Sequence, residues 1–232
     1  EPHYRDINLI VHAGEIVGIT GPLGAGRTEF ALSLFGLNAP DSGEIHIDGS
    51  PVSITTPESA IDAGIALVPE DRHLQGLFQK KEIRENMIAG VLDEVTRWGL
   101  VDSKAVDTVA RTWFDELAVK AGSPDAVVGT LSGGNQQRVV IGKWLATKPK
   151  LLILDGPTVG IDVASKSNIH DIVHDLARSG MAIIIISDEI PEVYKNSSRI
   201  VVMRDGAFIY ESKREDIDQE RLRNIVEQGV PA

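Results

Sequence analysis

One stretch decides the fold of this chain: Gly21-Pro22-Leu23-Gly24-Ala25-Gly26-Arg27-Thr28. It follows an apolar run at residues 16–20 and precedes a segment with helical character at about 28–37. A strand, a glycine-rich turn and a helix form the context in which backbone N–H groups cradle a polyphosphate at the positive end of a helix. The spacing is that of the pattern G-x-x-x-x-G-K-S/T, except that Arg27 stands at the lysine position. The stretch therefore predicts a phosphate site whose cation is an arginine.

Composition narrows the class of protein. The chain has 232 residues, 23 basic and 34 acidic side chains, a formal net charge of −11 and no Cys. This acidic balance disfavours a surface that tracks nucleic acid or lies on anionic lipid. The absence of Cys excludes a disulfide frame and a thiolate metal site, and the longest apolar runs are far too short to span a bilayer. We expect a soluble, acidic, globular protein with no nucleic-acid partner.

Short, continuously apolar runs at residues 65–68, 151–155 and 182–186 are typical of strands buried in a parallel sheet. Asp155 ends the second run. Alternating strands and helices place a ligand at the carboxyl ends of the strands, where the glycine loop and Asp155 both lie. Residues 4–11 alternate between apolar and polar side chains, which suggests a β-hairpin with residues 16–20.

The periodicity changes to that of helices between about residue 80 and residue 146. The predicted fold class is α/β: a P-loop NTPase (RecA-like) core with an antiparallel β-subdomain and an inserted α-helical subdomain. The predicted boundaries are residues 1–79 and 147–232 for the nucleotide-binding core with its β-subdomain, and residues 80–146 for the helical subdomain.

A second glycine motif opens a predicted helix shortly before Asp155. It reads Leu131-Ser132-Gly133-Gly134-Asn135-Gln136-Gln137-Arg138. Alone, Ser132 followed by two glycines is also compatible with a simple helix cap. Together with the glycine loop, however, the motif resembles the signature motif of ATP-binding-cassette (ABC) proteins, and the resemblance covers essentially the whole chain. Further matches are Ser42-Gly43-Glu44-Ile45, Asp48-Gly49, Pro157-Thr158-Val159-Gly160-Ile161-Asp162 and Ile186-Ser187-Asp188-Glu189.

The resemblance also points to one particular group within this family. Residues 70–78, Glu85-Asn86-Met87 and the pair Arg27-Thr28 look like the second of two tandem cassettes in carbohydrate-importer ATPases of the ribose, galactose, xylose and autoinducer-2 type. This implies that the chain is the C-terminal half of a longer polypeptide, peripheral at the cytoplasmic face of the plasma (inner) membrane. The implied partners are the first cassette of the same polypeptide or a second cassette, membrane permease subunits and, indirectly, a sugar-binding protein.

The family also implies the cofactors ATP and Mg²⁺ and the residues that hold them. The expected phosphate-binding residues are Gly21, Pro22, Leu23, Gly24, Ala25, Gly26, Arg27, Thr28 and Glu29, and the expected metal ligands are Thr28, Asp155 and Glu70. In the family, the signature motif faces an ATP held by the partner cassette. The expected signature residues are Leu131, Ser132, Gly133, Gly134, Asn135 and Gln136, with Asp162 as a further site residue. Tyr4 lies too close to the glycine loop to be the aromatic residue that stacks on adenine.

The positions at which this sequence differs from an active cassette all belong to the chain's own expected nucleotide site. Gly156 stands at the position of the catalytic glutamate and Asp188 at that of the γ-phosphate-sensing histidine, so neither catalytic position is intact. Arg27 replaces the phosphate lysine, and Glu70 replaces a glutamine. Loss of a general base lowers rates by ~10²–10⁴-fold. We therefore expect an asymmetric pair, in which this signature completes the partner's working site and the isolated chain is a weak or inactive ATPase.

Other hypotheses remain open at this point. The substitutions are also compatible with local compensation and slow turnover, or with a catalytically silent regulatory or scaffold domain. An ABC ATPase acting on DNA or ribosomes would need a heptad insertion or basic arms, and a P-loop kinase would lack the second glycine motif. Four apolar residues fit either a cleft for a permease helix or the core: Leu77, Phe78, Met87 and Ile88.

Overall fold

The computed structural model describes residues 4–230, and their contacts divide the chain into two compact units. The first, here named the sheet unit, comprises the chain up to Leu67, Lys150–Pro157 and the chain from Val173 onward. The second, the helical unit, comprises Val68–Pro149 and Thr158–Ile172. The subdomain boundaries at residues 80 and 146 stay a prediction.

Strands and helices alternate as the sequence suggests. The strands are β1 Ile16–Thr20, β2 Ile45–Ile47, β3 Ser50–Val52, β4 Ile65–Val68, β5 Thr96–Arg97, β6 Leu100–Val101, β7 Leu151–Asp155, β8 Ala182–Ile186, β9 Arg199–Arg204 and β10 Ala207–Lys213. The α-helices are α1 Arg27–Leu34, α2 Pro57–Asp62, α3 Ile83–Met87, α4 Ser103–Glu116, α5 Gly133–Leu145, α6 Val163–Arg178, α7 Ile190–Asn196 and α8 Gln219–Gln228.

The sheet unit is built on a six-stranded sheet in the order β10-β9-β1-β8-β7-β4. Strands β9, β1, β8 and β7 run parallel, and β10 runs antiparallel to β9. The side chains of the central strands are almost entirely buried, which explains their continuous apolar runs. Asp205 and Gly206 both have positive φ, +48° and +75°, as a tight hairpin turn requires. The predicted α/β class is confirmed.

The register of the sheet brings three strand ends together. Ile186, the last residue of β8, lies opposite Ile19 on one side and opposite Asp155 on the other. Neighbouring strands lie about 4.8 Å apart, so the ends of β1 and β7 are separated by roughly 10 Å. Whatever follows β1, β7 and β8 therefore meets at one edge of the sheet.

The helical unit has its own core, in which α5 packs against α3 and α4. Gly142 of α5 lets these helices approach, because a Cβ there would lie 3.1 Å from Leu117 and 3.3 Å from Met87 and Trp113. Leu77, Met87 and Ile88 are buried, whereas Phe78 is 61% exposed. Three of the four apolar residues that sequence could not assign thus belong to the core, and Phe78 is on the surface.

The predicted hairpin at residues 4–11 is wrong. The structure contains no strand between residues 4 and 14, and among the described residues the partners of β1 are β8 and β9. The segment is held by other contacts: the Arg5 N–H donates to the Gly206 carbonyl at 2.7 Å, and the Arg199 guanidinium donates to the Ile10 carbonyl. Its alternation reflects which side chains are half-buried, namely those of Tyr4, Ile7, Leu9 and Val11.

Candidate nucleotide site and signature helix

The loop between β1 and α1 needs glycine for two different reasons. Gly24 and Gly26 have left-handed backbones, with φ of +77° and +98°, and a Cβ on Gly24 would meet nothing within 4 Å. A Cβ on Gly21 would instead lie 1.9 Å from the Met203 carbonyl oxygen of β9. The loop is also tied to the β9–β10 hairpin, because the Gly206 N–H donates to the Ala25 carbonyl at 3.1 Å. Tight packing and backbone torsion together fix its shape.

Arg27 leaves a buried donor without a partner. The residue is 8% exposed, and its Nη1 has no hydrogen-bond partner within residues 4–230. The hydroxyl of Thr20, at the end of β1, is likewise buried and unpartnered. Since an unsatisfied buried polar group costs about 1–3 kcal/mol, the loop is suited to an anion that would accept from it. The residues present thus fit a phosphate group, with Gly26 at the N-terminus of α1 making no side-chain cap.

Two more segments join the glycine loop at the same edge of the sheet. The Gly156 N–H donates to the Ile186 carbonyl at 2.9 Å, and the Ser187 N–H donates to the Ile19 carbonyl at 3.2 Å. Asp155 is 6% exposed, and the next residue, Gly156, has a left-handed φ of +55°. The sheet unit therefore brings together most of the residues predicted for the chain's own site: Gly21, Pro22, Leu23, Gly24, Ala25, Gly26, Arg27, Thr28, Glu29, Asp155, Gly156 and Asp188.

A hydrogen-bonded turn holds Asp188 at the surface. The Ser187 hydroxyl donates to the buried Glu192 carboxylate at 2.6 Å and accepts from the Glu189 N–H at 3.1 Å. Asp188, at the predicted histidine position, is exposed. Sequence reasoning missed Glu192 and the role of Ser187, although a serine directly after a buried strand and before a proline-started helix is a turn signal.

Glu70 and Asp162 lie in the helical unit, and both are exposed. Of the predicted metal ligands, the sheet unit by itself therefore contains Thr28 and Asp155. Within residues 4–230, no three His, Cys, Asp or Glu side chains form a group that could hold a metal ion. A Mg²⁺ ion here would depend on phosphate oxygens for much of its coordination.

The signature motif forms the N-terminus of α5. Ser132 is the residue before the first turn, but its hydroxyl does not cap the helix; it accepts from the Asn135 side-chain amide at 2.9 Å. The Asn135 side-chain oxygen in turn accepts from the Lys120 N–H at 2.8 Å. The helix therefore presents a first turn without a side-chain cap, the arrangement that favours an anion.

The signature glycines are also tightly packed within their own unit. A Cβ on Gly133 would lie 2.9 Å from the Arg72 Nη2, and a Cβ on Gly134 would lie 2.6 Å from the Ser165 side chain. Position 134 therefore needs glycine for packing alone, whereas a side chain at position 133 would require the Arg72 guanidinium and the Gly160 carbonyl to shift. Leu131 and Gln136 flank them, partly and fully buried respectively.

Two buried cations hold the short turn formed by residues 72–76, and sequence reasoning missed both. Arg72 donates to the Val159 and Gly160 carbonyls at 2.6 and 3.1 Å, and the Lys143 ammonium donates to the Gly76 carbonyl at 2.7 Å. Burial lowers the pKa of Arg72 below its usual value and lowers the pKa of Lys143 to about 8. A signal for Lys143 exists in the sequence: it follows Val139 and Val140 at the spacing of one helix face.

Comparison with known proteins places these features in a family. The family model described as ABC transporter matches residues 4–159. The chain is 46% identical over 222 residues to the ribose import ATP-binding protein RbsA 1 of Agrobacterium fabrum, covering 96% of this chain and 44% of that protein. It is 41% identical over 226 residues to the ribose import ATP-binding protein RbsA of Geobacillus kaustophilus, covering 97% of this chain and 46% of that protein. The chain thus spans less than half the length of these relatives.

Solved structures agree on the fold. A nucleotide-free ATP-binding cassette from an ABC transporter matches with a TM-score of 0.81 at 22% identity, covering 97% of this chain and 89% of that one. CbiO1 from Clostridium perfringens matches with a TM-score of 0.79 at 22% identity, covering 97% of this chain and 88% of that one. The predicted P-loop NTPase fold is confirmed. None of the helices within residues 4–230 has the length and hydrophobicity of a membrane span. With its two glycine motifs and its sheet, the chain belongs to the ABC transporter family, as an ATP-binding domain.

Proposed function

We propose that the chain is one of two paired cassettes in a bacterial sugar importer and couples ATP binding and hydrolysis to movement of the permease. The relatives are named as ribose import proteins, and the chain matches 44% and 46% of their lengths, the share expected for one of two similar cassettes. The pair Arg27-Thr28 favours the C-terminal position. The proposed partners are another cassette, permease subunits and a sugar-binding protein, with the chain peripheral at the cytoplasmic face of the membrane.

The chain's own site binds ATP and Mg²⁺ but does not hydrolyse ATP efficiently. The loop amides around Gly24 and Gly26 and the guanidinium of Arg27 hold the phosphates, while Thr28 and Asp155 are placed to hold Mg²⁺. Bound Mg²⁺ supplies positive charge that offsets the negative charge of the phosphates. The observation that carries this proposal is Gly156: the residue after Asp155 has no side chain to orient a water molecule, and its φ of +55° disfavours one.

The signature motif completes the site of the partner cassette. Its glycines and its uncapped helix end are intact, so α5 offers backbone N–H groups and a positive dipole to a phosphate held elsewhere. The exposed Ser132 hydroxyl is available as a further donor. Catalytic capacity is therefore divided between the two cassettes.

Substitution at each site of the paired-cassette protein tests this division. We expect Ser132→Ala to lower ATPase activity by at least about tenfold, as loss of a preorganised donor does, and Thr28→Ala to lower it by less than about threefold. Thr130→Ala is the matched control, because the Thr130 hydroxyl only donates to the nearby Val127 carbonyl. A large loss from Thr28→Ala with little loss from Ser132→Ala would refute the asymmetry.

A catalytically silent nucleotide-binding regulatory domain is the second candidate function, favoured by Gly156 and Asp188. Nucleotide titration of the chain with and without Mg²⁺, and ATPase assays of the chain alone and with a second cassette, separate the two. Activity that arises only in the mixture and needs Ser132 supports the asymmetric ATPase. Nucleotide binding with no Ser132-dependent activity in the mixture supports the silent domain, and rapid turnover by the chain alone refutes a degenerate site.

A further inference from the structure

The turn at residues 72–76 joins three functional segments of the helical unit through one guanidinium. Arg72 is 7% exposed, and no carboxylate within residues 4–230 forms an ion pair with it. Its two terminal nitrogens instead donate to successive carbonyls, those of Val159 and Gly160. The planar fork of an arginine can bridge two neighbouring acceptors in this way, whereas a lysine ammonium binds as a point charge.

Arg72 holds the exposed middle of the Thr158–Asp162 segment, at Val159 and Gly160. The internal contacts of this segment are local: the Ile161 N–H donates to the Thr158 carbonyl at 3.3 Å, and Asp162 accepts from the Ser165 N–H at 3.0 Å. Val159 is 41% exposed, and Gly160 has a left-handed φ of +66°. Because both accepting carbonyls lie in this exposed part, the guanidinium fixes the section of the segment that packs least.

The signature turn packs against the same guanidinium. The Cβ position of Gly133 lies 2.9 Å from the Arg72 Nη2 and 3.2 Å from the Gly160 carbonyl oxygen, so no gap separates these three segments. The other end of the 72–76 turn is attached to the middle of α5, through the bond from Lys143 to Gly76 and the close approach of Gly76 to Val140. The turn is thus held to the signature helix at both its ends.

Exposed apolar side chains flank the buried face of this turn. Leu74 is 85% exposed and Phe78 is 61% exposed. In a transporter, side chains of this kind are available for contact with another subunit, while the buried residues Arg72 and Gly76 face the signature helix. A force applied at the surface of the turn would therefore act directly on the segments that Arg72 holds.

We propose that Arg72 is a positioning residue that makes residues 70–78, Thr158–Asp162 and the signature turn at residues 132–134 move as one body. A displacement of the 70–78 segment by the permease then reaches the signature turn, and with it the partner's ATP, without a separate conformational step. This proposal rests on the function proposed above. In physical terms, the two hydrogen bonds from Arg72 couple the exposed side of the 70–78 segment to the signature turn within one unit.

The test uses the whole transporter in vesicles, with its sugar-binding protein present. ATPase activity is measured with and without the sugar, and sugar uptake is measured in parallel. In Arg72→Gln, the ratio of sugar-stimulated to basal ATPase activity falls by at least about fivefold, the lower end of ordinary coupling between sites. Arg72→Lys, which keeps the charge but not the fork, gives an intermediate ratio.

Arg84→Gln is the matched control in the same unit. Arg84 pairs with Asp107 at 2.9 Å and with Asp125, so its loss removes ion pairs without touching the 72–76 turn. We expect this variant to keep the wild-type ratio even where its melting temperature falls as far as that of Arg72→Gln. The ratio therefore separates a positioning role from a general loss of stability.

An unchanged ratio in Arg72→Gln refutes the proposal, including the case in which basal and stimulated activities fall by the same factor. If Arg72→Gln does not assemble, the ratio in Arg72→Lys decides in the same way. A wild-type transporter whose ATPase does not respond to any sugar refutes the proposed function instead, so the two failures are distinguishable.

Discussion

Lys143, buried inside the helical unit, lowers the free energy of unfolding by an amount that depends on pH. The residue is 7% exposed, and within residues 4–230 its ammonium contacts the Gly76 carbonyl, at 2.7 Å, and the ring of Trp144, at 4.7 Å. Burial lowers its pKa from 10.5 to about 8. Because the unfolded chain holds this proton more tightly than the folded one, folding is opposed wherever the group is charged in both states.

The size of the effect follows from the two pKa values. Each pH unit between them corresponds to about 1.4 kcal/mol, so burial of the charge costs about 3 kcal/mol below pH 8. As the pH rises from about 8 towards 10.5, the folded chain loses the proton first and the free energy of unfolding increases. Between pH 7.5 and pH 9.5, linkage gives an increase of about 2 kcal/mol from this residue alone.

Lys143→Met removes the cost of burying this charge, because a thioether side chain of similar length carries no charge to desolvate. Urea unfolding of wild type and variant at pH 7.5 and pH 9.5 measures it. We expect the free energy of unfolding of the variant, relative to wild type, to fall by about 2 kcal/mol between the two pH values. Lys148→Met is the control, since Lys148 is 81% exposed and should give no such change. A difference between Lys143→Met and wild type that does not vary with pH would refute the reasoning.

Three further substitutions test the backbone torsion at Gly156, the packing at Gly134 and the ion pair of Arg199. Gly156→Glu restores a carboxylate but should neither raise the ATPase activity of the chain nor leave it as stable, because a left-handed φ of +55° costs a side chain about 1–2 kcal/mol; rapid hydrolysis would show otherwise. Gly134→Ala should destabilise the chain in thermal melts even without nucleotide, and Ser165→Gly should partly rescue it, since the new Cβ would lie 2.6 Å from Ser165. Arg199→Met should lower the free energy of unfolding at pH 7 by about 1–3 kcal/mol, because Glu15, whose carboxylate accepts from Arg199 at 2.7 Å, loses that partner. Burial alone would raise the pKa of Glu15, but the hydrogen bonds from Arg199 and the His12 N–H hold it below its usual value. The contribution of Arg199 to the free energy of unfolding is therefore present at neutral pH and disappears as acid protonates Glu15. Urea unfolding at pH 7 and pH 3 measures it.

Local patterns in the sequence predicted the parts of the fold that depend on local chemistry. The runs at residues 151–155 and 182–186 were sufficient to predict β7 and β8, because a strand covered on both faces has no polar positions. The glycine loop and Asp155 were correctly placed at one edge, since parallel strands end on the same side. The hairpin at residues 4–11 failed because alternation records which side chains are buried and does not record whether the backbone has a partner strand.

Contacts between distant segments were beyond the reach of local patterns. Arg72 meets Val159 and Gly160 across more than eighty positions of sequence, and nothing in the residues around it marks it as buried. Glycine is needed at position 21 because a Cβ there would lie 1.9 Å from the Met203 carbonyl oxygen, which no pattern around the loop reveals. In both cases the partner is main chain, which carries no sequence signal.

The close packing around Gly133 and Gly134 affects how the sequence of the signature motif can diverge during evolution. A larger residue at position 134 collides with Ser165, and one at position 133 displaces Arg72 and the Gly160 carbonyl, so either change disturbs the interior of the unit itself. Selection for a folded chain would thus preserve the pair even in a descendant that no longer meets a nucleotide. In diverged cassettes, then, drift should become visible first at Ser132, whose side chain is exposed and free to vary without harm to the interior.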